Sequence, residues 1–284
     1  MNRLHERLVQ KIFLLSAVTG IFIIFLILFF IFGEGLPVLQ KYGLTHFIFN
    51  NTWHPTKNEF GLLSMILGSF YVTLGALLLG VPISIGCAIY MAEIAPNWFS
   101  KAVRPLIELL AGIPSVVYGF YGLVVIVPLI MNYLGGRGLS MLAASFVLGM
   151  MILPTVINVS EDAIRAVPRE YREGSCALGA GLWQTIYKVV LPTARPGIIA
   201  AVVLGMGRAV GETMAVILVA GNATAIPGSP LGMVRTLTGN IAIEMGYAAG
   251  DHAKALFATG IILIIIIMFL NTMISLIPGK AGGK

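Results

Sequence analysis

Six stretches of this chain, 12–33, 61–92, 109–136, 138–160, 196–234 and 255–279, carry no formal charge except Arg208 and Glu212 in the fifth. A helix needs about 20 apolar residues to cross the hydrocarbon core of a bilayer. Six spanning helices follow, giving an all-α polytopic membrane protein with both ends of the chain on one side. Composition agrees. Only 11% of residues are charged and 58% are hydrophobic, where a soluble domain carries roughly a quarter charged. The net charge of +6 therefore points to basic loops on one membrane face and not to a nucleic-acid partner.

Arg3, Arg7 and Lys11 precede the first run in the manner of a signal peptide. No small-residue cleavage site follows, so 12–33 reads as a retained span. The run 61–92 exceeds one crossing, and Pro82 should kink it or let its end project. Pro114, Pro128 and Pro154 mark further breaks of the kind found beside cavities in transporters. Basic residues set the orientation. Twelve (among them Lys101, Arg104, Arg165, Arg169, Arg172, Lys280 and Lys284) fall on the side of the N-terminus. Five (Lys41, Lys57, Arg137, Arg235 and Lys254) fall opposite. Both termini are expected in the cytoplasm, with 34–60 and 235–254 as outer loops.

Arg208 and Glu212 are the anomaly. An arginine at mid-membrane depth costs about 2.5–3.5 kcal/mol on insertion scales, so such residues mark a pathway or an obligatory pair. Four residues apart, the two share one helix face and can pair. Gly207 and Gly211 are spaced for close approach of another helix. Packing alone would account for such a pair as a bridge that locks the fold. Glu108, four residues after Arg104, reads as a surface pair at a span's edge. Gly112 and Pro114 read as a helix break. Cys87 and Cys176 suggest neither a disulfide nor a metal site. His5, His46, His54 and His252 lack metal-ligand company.

Residues 161–195 form the longest charged stretch. Pro168 suits the first turn of a helix that continues from Arg169 to Leu178. Gly179 or Gly181 can end it in the left-handed conformation. A second helix follows, with Leu182, Trp183, Ile186, Tyr187 and Val190 at helical spacing, and Leu191-Pro192 should stop it before the fifth span. On pattern alone, the loop could simply lie over its own bundle.

These residues resemble a known family. Glu173, Gly179 six positions on, and Leu191-Pro192 twelve beyond that have the spacing of the EAA loop of ABC importer permeases. Gly174, Ser175 and Val189 replace two alanines and an isoleucine. Ile107 to Gly119 and Gly205 to Val216 are similar to signatures of phosphate-specific permeases. Trp53-His54-Pro55, Phe60-Gly61 and Thr236 to Gly246 are similar to the C-type subunit, and the resemblance covers about residues 50–277. It implies a type I ABC importer permease fold, with 1–60 as tail, first span and outer loop, and 61–279 as permease domain. It also implies that Glu173, Ala177, Leu178, Gly179, Leu191 and Pro192 of the coupling loop 161–195 contact a cytoplasmic ATPase. The implied partners are a second, A-type permease, two ATPase copies, an extracytoplasmic phosphate-binding protein and membrane lipid, in a bacterial or archaeal cell (inner) membrane.

The resemblance makes Arg208 and Glu212 candidates for the phosphate pathway. A guanidinium offers a planar fork that matches phosphate oxygens. Glu212 would hold the empty arginine and then yield the fork as the anion arrives. No G-x-x-x-x-G-K-[ST] loop is present, so ATP is expected on the partner ATPase and no cofactor or catalytic residue in this chain. Alternatives from the sequence are a permease for sulfate or molybdate, an ion-coupled anion carrier or channel, and a membrane enzyme. No nucleophile–base constellation supports the last.

Overall fold

The computed structural model describes residues 3–275. In chain order its elements begin with helix α1 (Arg3–Tyr42), short helix α2 (Leu44–Phe49) and an antiparallel hairpin, β1 (Trp53–His54) with β2 (Glu59–Phe60). Then come α3 (Leu63–Ile89), α4 (Asn97–Gly112), α5 (Ser115–Tyr121), α6 (Val127–Leu134) and α7 (Met141–Arg165). The chain closes with α8 (Arg169–Ala177), α9 (Leu182–Thr185), α10 (Leu191–Gly211), α11 (Met214–Val219), α12 (Leu237–Glu244) and α13 (Asp251–Ser275).

Six helical bodies are long and apolar enough to cross a membrane: Leu8–Tyr42, Leu63–Ile94, Ser115–Leu134, Met141–Arg165, Leu182–Gly211 and Asp251–Met273. Each falls on one expected run. Residues 276–279 of the sixth run, with Lys280 and Lys284, lie outside the described residues.

Helix α7 is the central pillar and α1 the outlier. Along α7, Ala144, Ser145, Gly149 and Ile152 pack against Val72, Ala76 and Gly80 of α3. A Cβ at Gly80 would sit 2.8 Å from the Gly149 carbonyl oxygen, so glycine at 80 is what lets the two backbones meet. Ser145 Oγ adds a bond to the Val72 carbonyl at 3.3 Å. Helix α10 lies antiparallel on another face of α7, with Gly197 against Ala163 and Gly205 against Val156. By contrast α1 touches mainly α13, where Gly35 meets the Ala258 backbone and the Phe30 and Phe257 rings cross edge to face.

Three departures from the sequence reading have physical causes. First, α1 does not stop at Gly33 but runs to Tyr42 through Glu34 and Pro37, so 34–60 is not one loop. Contacts of Gly35 and the buried Val38 hold those extra turns in place. Second, the run 109–136 holds the end of one helix and a separate span. Helix α4 carries its apolar residues on one stripe and buries only Ile107 fully, against α3 and α7. Third, Leu191-Pro192 does not stop a helix. The body continues from α9 through a widened π turn at Ile186–Val190 into α10.

Proline lacks the N–H that would bond four residues back, and its ring clashes with that carbonyl. For Pro192 that carbonyl belongs to Lys188, inside the π turn, where the wider i→i+5 ladder makes room. The same arrangement recurs where Gly122–Ile126 precedes Pro128.

At one end of the bundle, α2 and the β1–β2 hairpin fold over α12 and α13 and bury Phe47, Trp53, Phe60, Leu62, Leu237 and Leu256. This is the hairpin end. The opposite end carries α4, α8 and α9 and is the loop end.

Candidate functional site

Arg208 lies in the last turn of α10, half-buried. Its Nη1 donates to Thr155 Oγ1 at 3.4 Å, which places it level with the middle of α7. The helix then ends. Glu212 is extended (ψ 135°), and the chain restarts as α11, whose Val219 carbonyl accepts the Ser140 N–H at the hairpin end of α7. The fifth span is therefore two helices with a break at mid-depth. Irregular backbone at that depth persists only where protein or a polar cavity satisfies its polar groups. The Glu212 carbonyl accepts Thr238 Oγ1–H at 2.9 Å.

The expected Arg208–Glu212 pair is not formed. The ion pairs of the described residues all lie elsewhere. Glu212 instead turns its Oε1 onto the Ala215 N–H, at 3.2 Å, where a carboxylate satisfies the open first turn of α11. Because α10 stops at Gly211, the two residues no longer share a helix face. The reading of Glu212 as the residue that holds the empty arginine is corrected accordingly. Arg208 keeps most of its five donors free of protein partners.

Gly207 and Gly211 face open space: a Cβ at either would meet nothing within 4 Å. The close approach expected of them is not made within this chain. The open stripe also includes the exposed Leu204 and Met214. Pro114 stands between α4, which ends at Gly112, and α5, which begins at Ser115. Glu108 lies 3.8 Å from Arg104, and Arg104 Nη2 makes a shorter 2.7 Å bond to Asp162.

At the loop end, α8 buries no residue. Glu173 and Ala177 are exposed, Leu178 is 91% exposed, and Gly179 turns the chain at φ +82°. Leu182, Trp183 and Tyr187 are exposed as well, while Ile186 and Val190 are buried. Leu191 is half-buried and Pro192 exposed. The loop therefore presents an apolar surface outward and does not lie over its own bundle. Large apolar side chains exposed in this way suit a contact surface.

Two polar clusters escaped the sequence reading. At the loop end, Arg172 Nη2 bonds Glu93 Oε1 at 2.6 Å and the Ile164 carbonyl at 2.9 Å. Nearby, Arg165 joins the buried Glu161 at 2.7 Å and the Met91 carbonyl at 2.8 Å. At the hairpin end, Glu244 accepts from Trp53 Nε1, pairs with His252 Nε2 and accepts from Arg235 Nη1, at 2.8, 2.8 and 2.6 Å. His252, set aside from the sequence, belongs to this network. Only the i,i+4 spacing of Glu161 and Arg165 was visible in advance. The other partners lie up to 191 positions apart.

Comparison with known proteins decides the family. A family model described as "Binding-protein-dependent transport system inner membrane component" matches residues 80–278. The chain belongs to this family. This permease is 45% identical over 239 residues to the "Probable ABC transporter permease protein YqgH" of Bacillus subtilis (strain 168), covering 82% of this chain and 77% of that one. The "Phosphate transport system permease protein PstC" of Xylella fastidiosa (strain 9a5c) is 35% identical over 82% of this chain and 78% of its own. The PstC protein of Pasteurella multocida (strain Pm70) is 34% identical over 93% and 90%. Among solved structures, a bacterial alginate ABC transporter in complex with alginate pentasaccharide-bound periplasmic protein matches with TM-score 0.65 at 19% identity, covering 96% of each chain. The MetNI methionine ABC transporter matches with TM-score 0.55 at 22% identity, over 76% of this permease and 93% of that chain. At those identities the structures establish the fold, that of a type I ABC importer permease.

Proposed function

We propose that this permease is the membrane-spanning subunit of an ATP-driven, binding-protein-dependent importer that carries inorganic phosphate into the cytoplasm. The observation that carries the reading is Arg208, a guanidinium at mid-depth beside a broken helix, with one long contact to Thr155 and no carboxylate partner. A desolvated phosphate needs such a planar set of donors, and relatives at 34–35% identity are named phosphate permeases. Arg208 takes the anion through its fork, with the Thr155 hydroxyl beside it as a neutral partner. Glu212 shapes the site by capping α11, which keeps the chain broken at that level.

The excess of basic residues supports a cytoplasmic position for the loop end and both termini. The exposed surface of Leu178, Leu182, Trp183 and Tyr187 takes an ATPase subunit, one of two in the complex. The open stripe of α10 at Leu204, Gly207 and Gly211 faces a second, A-type permease, and the pathway runs between the two. A phosphate-binding protein delivers substrate at the hairpin end. ATP is hydrolysed on the partners, and this chain has no catalytic role.

Uptake by the four-component complex in proteoliposomes tests the reading. Phosphate should be accumulated with ATP inside, and excess sulfate or molybdate should not compete. Accumulation of sulfate in preference, or uptake sustained by an ion gradient without ATP, would overturn it.

A further inference from the structure

Helix α8, at the centre of the exposed loop, buries no residue and rests on α9 and the π turn Ile186–Val190, to which Ser175 is tied through Thr185 at 2.9 Å. The π turn leads straight into α10, so α8 reaches the fifth span through the chain, but no buried side chain of α8 packs it on α3 or α7. What joins it to those two is Arg172. Its Nη2 and Nε reach Glu93 at 2.6, 3.2 and 3.3 Å. Its Nη1 donates to the Val167 carbonyl at 2.5 Å, and Nη2 also donates to that of Ile164 at 2.9 Å.

These partners belong to two different spans. Glu93 lies in the π turn Tyr90–Ile94 that ends α3, with its side chain 8% exposed. Ile164 lies in the last turn of α7, where helix carbonyls have no intrahelical donor and a cation is favoured, and Val167 follows two residues past the helix end. The π turn supplies a second tie, since its Met91 carbonyl accepts from Arg165 at 2.8 Å and from Ser100 at 3.1 Å. One guanidinium thus fastens α8 to α3 and α7 together. Helix α7 in turn runs to Thr155 and its contact with Arg208.

We infer that the Arg172–Glu93 clamp is the linkage that transmits ATPase closure from α8 to α3 and α7, and so to the Thr155 side of the mid-depth site, a role that rests on the transport reading above. Arg172 and Glu93 are positioning residues. They touch neither anion nor nucleotide. Without the clamp, α8 moves with the ATPase and α10 follows through the chain, but α3 and α7 stay behind, Thr155 parts from Arg208, and hydrolysis continues without opening the path. Lysine at 172 would hold Glu93 as a point charge but could not also reach both carbonyls.

The test uses the whole complex and a readout that does not depend on which anion is carried. In a background with Cys87→Ala and Cys176→Ser, Gly207→Cys places a thiol on the open face beside Arg208. Its labelling by a membrane-impermeant maleimide is compared between nucleotide-free and vanadate-trapped complex, alongside the ATP hydrolysis rate. The parent should show a change of about fivefold or more on trapping, the lower range of an allosteric coupling. Arg172→Gln and the isosteric Glu93→Gln should reduce that change below about twofold while hydrolysis continues. Arg172→Lys should fall between, and Arg169→Gln, at an exposed neighbouring arginine, should respond like the parent. A full response in both Arg172→Gln and Glu93→Gln overturns the clamp. So does a parent with no nucleotide-dependent labelling, or hydrolysis lost in step with the labelling change. Failure of phosphate uptake in a parent that passes the labelling test would count against the substrate alone.

Discussion

Glu244, at the hairpin end, is held by three side chains at hydrogen-bond distance, whereas Arg208, at mid-depth, makes one contact of 3.4 Å to a threonine hydroxyl. Glu244 is buried and Arg208 half-buried, and an unpaired ion away from water is costly. What separates them is how much bonding capacity is left over. A charge whose bonding capacity is filled by its own chain has nothing left for a ligand and serves as a pin. At Glu244 the pin joins the hairpin (Trp53), the segment before α12 (Arg235) and the start of α13 (His252). Arg208 keeps its donors available, and the broken backbone beside it keeps the space open.

The comparison breaks most readily at Arg208. Arg208→Gln should lower phosphate uptake about 100-fold, the loss expected when charge-assisted bonds to a doubly bonded anion become neutral ones. The melting temperature of the complex should stay within a few degrees, read by fluorescence in detergent. A stability loss matching that of the Glu244 variants would make Arg208 a second pin. Next in size is Glu244→Ala, which strands Arg235 and should destabilise the protein by about 3–5 kcal/mol. Uptake per assembled complex should remain within about twofold. If uptake collapsed in complexes that are still folded, the network would belong to the pathway.

A smaller effect is expected from Trp53→Phe, which removes the indole N–H and shrinks a buried ring, and should cost about 1–3 kcal/mol in thermal unfolding. Smallest is Thr155→Val. It keeps the shape, removes one neutral hydroxyl beside Arg208, and should raise the KM for uptake by about fivefold, roughly 1 kcal/mol. Unchanged KM in Thr155→Val would show that the anion binds on the side of Arg208 away from α7.

The loop between α7 and α10 was partly legible in the sequence. The turn at Gly179 and the helix Arg169–Ala177 follow from a proline at the start and a glycine at the end, both local rules. That Leu178 and Trp183 face outward could not be read from spacing, because an apolar stripe looks the same whether its partner is its own bundle or another chain. Arg208 and Glu212 were found by their cost, yet their relation was misread. Spacing of four residues implies a pair only while the helix lasts, and α10 ends at Gly211, between them. Glu93 and Arg172 stood in view as charges at the edges of apolar runs, 79 positions apart, with no local signal to join them.

Hydropathy by itself determined the six spans, their order and their alternation across the membrane, since burial of an uncharged run in lipid depends only on that run. Motif spacing determined the family. Tertiary structure alone decided that the fifth span is broken, that prolines 128 and 192 sit behind widened turns, and which charges are pins and which are free. Those outcomes depend on what lies opposite each residue after folding. In a medium without water, every buried donor and acceptor must find its partner there or remain open for a ligand.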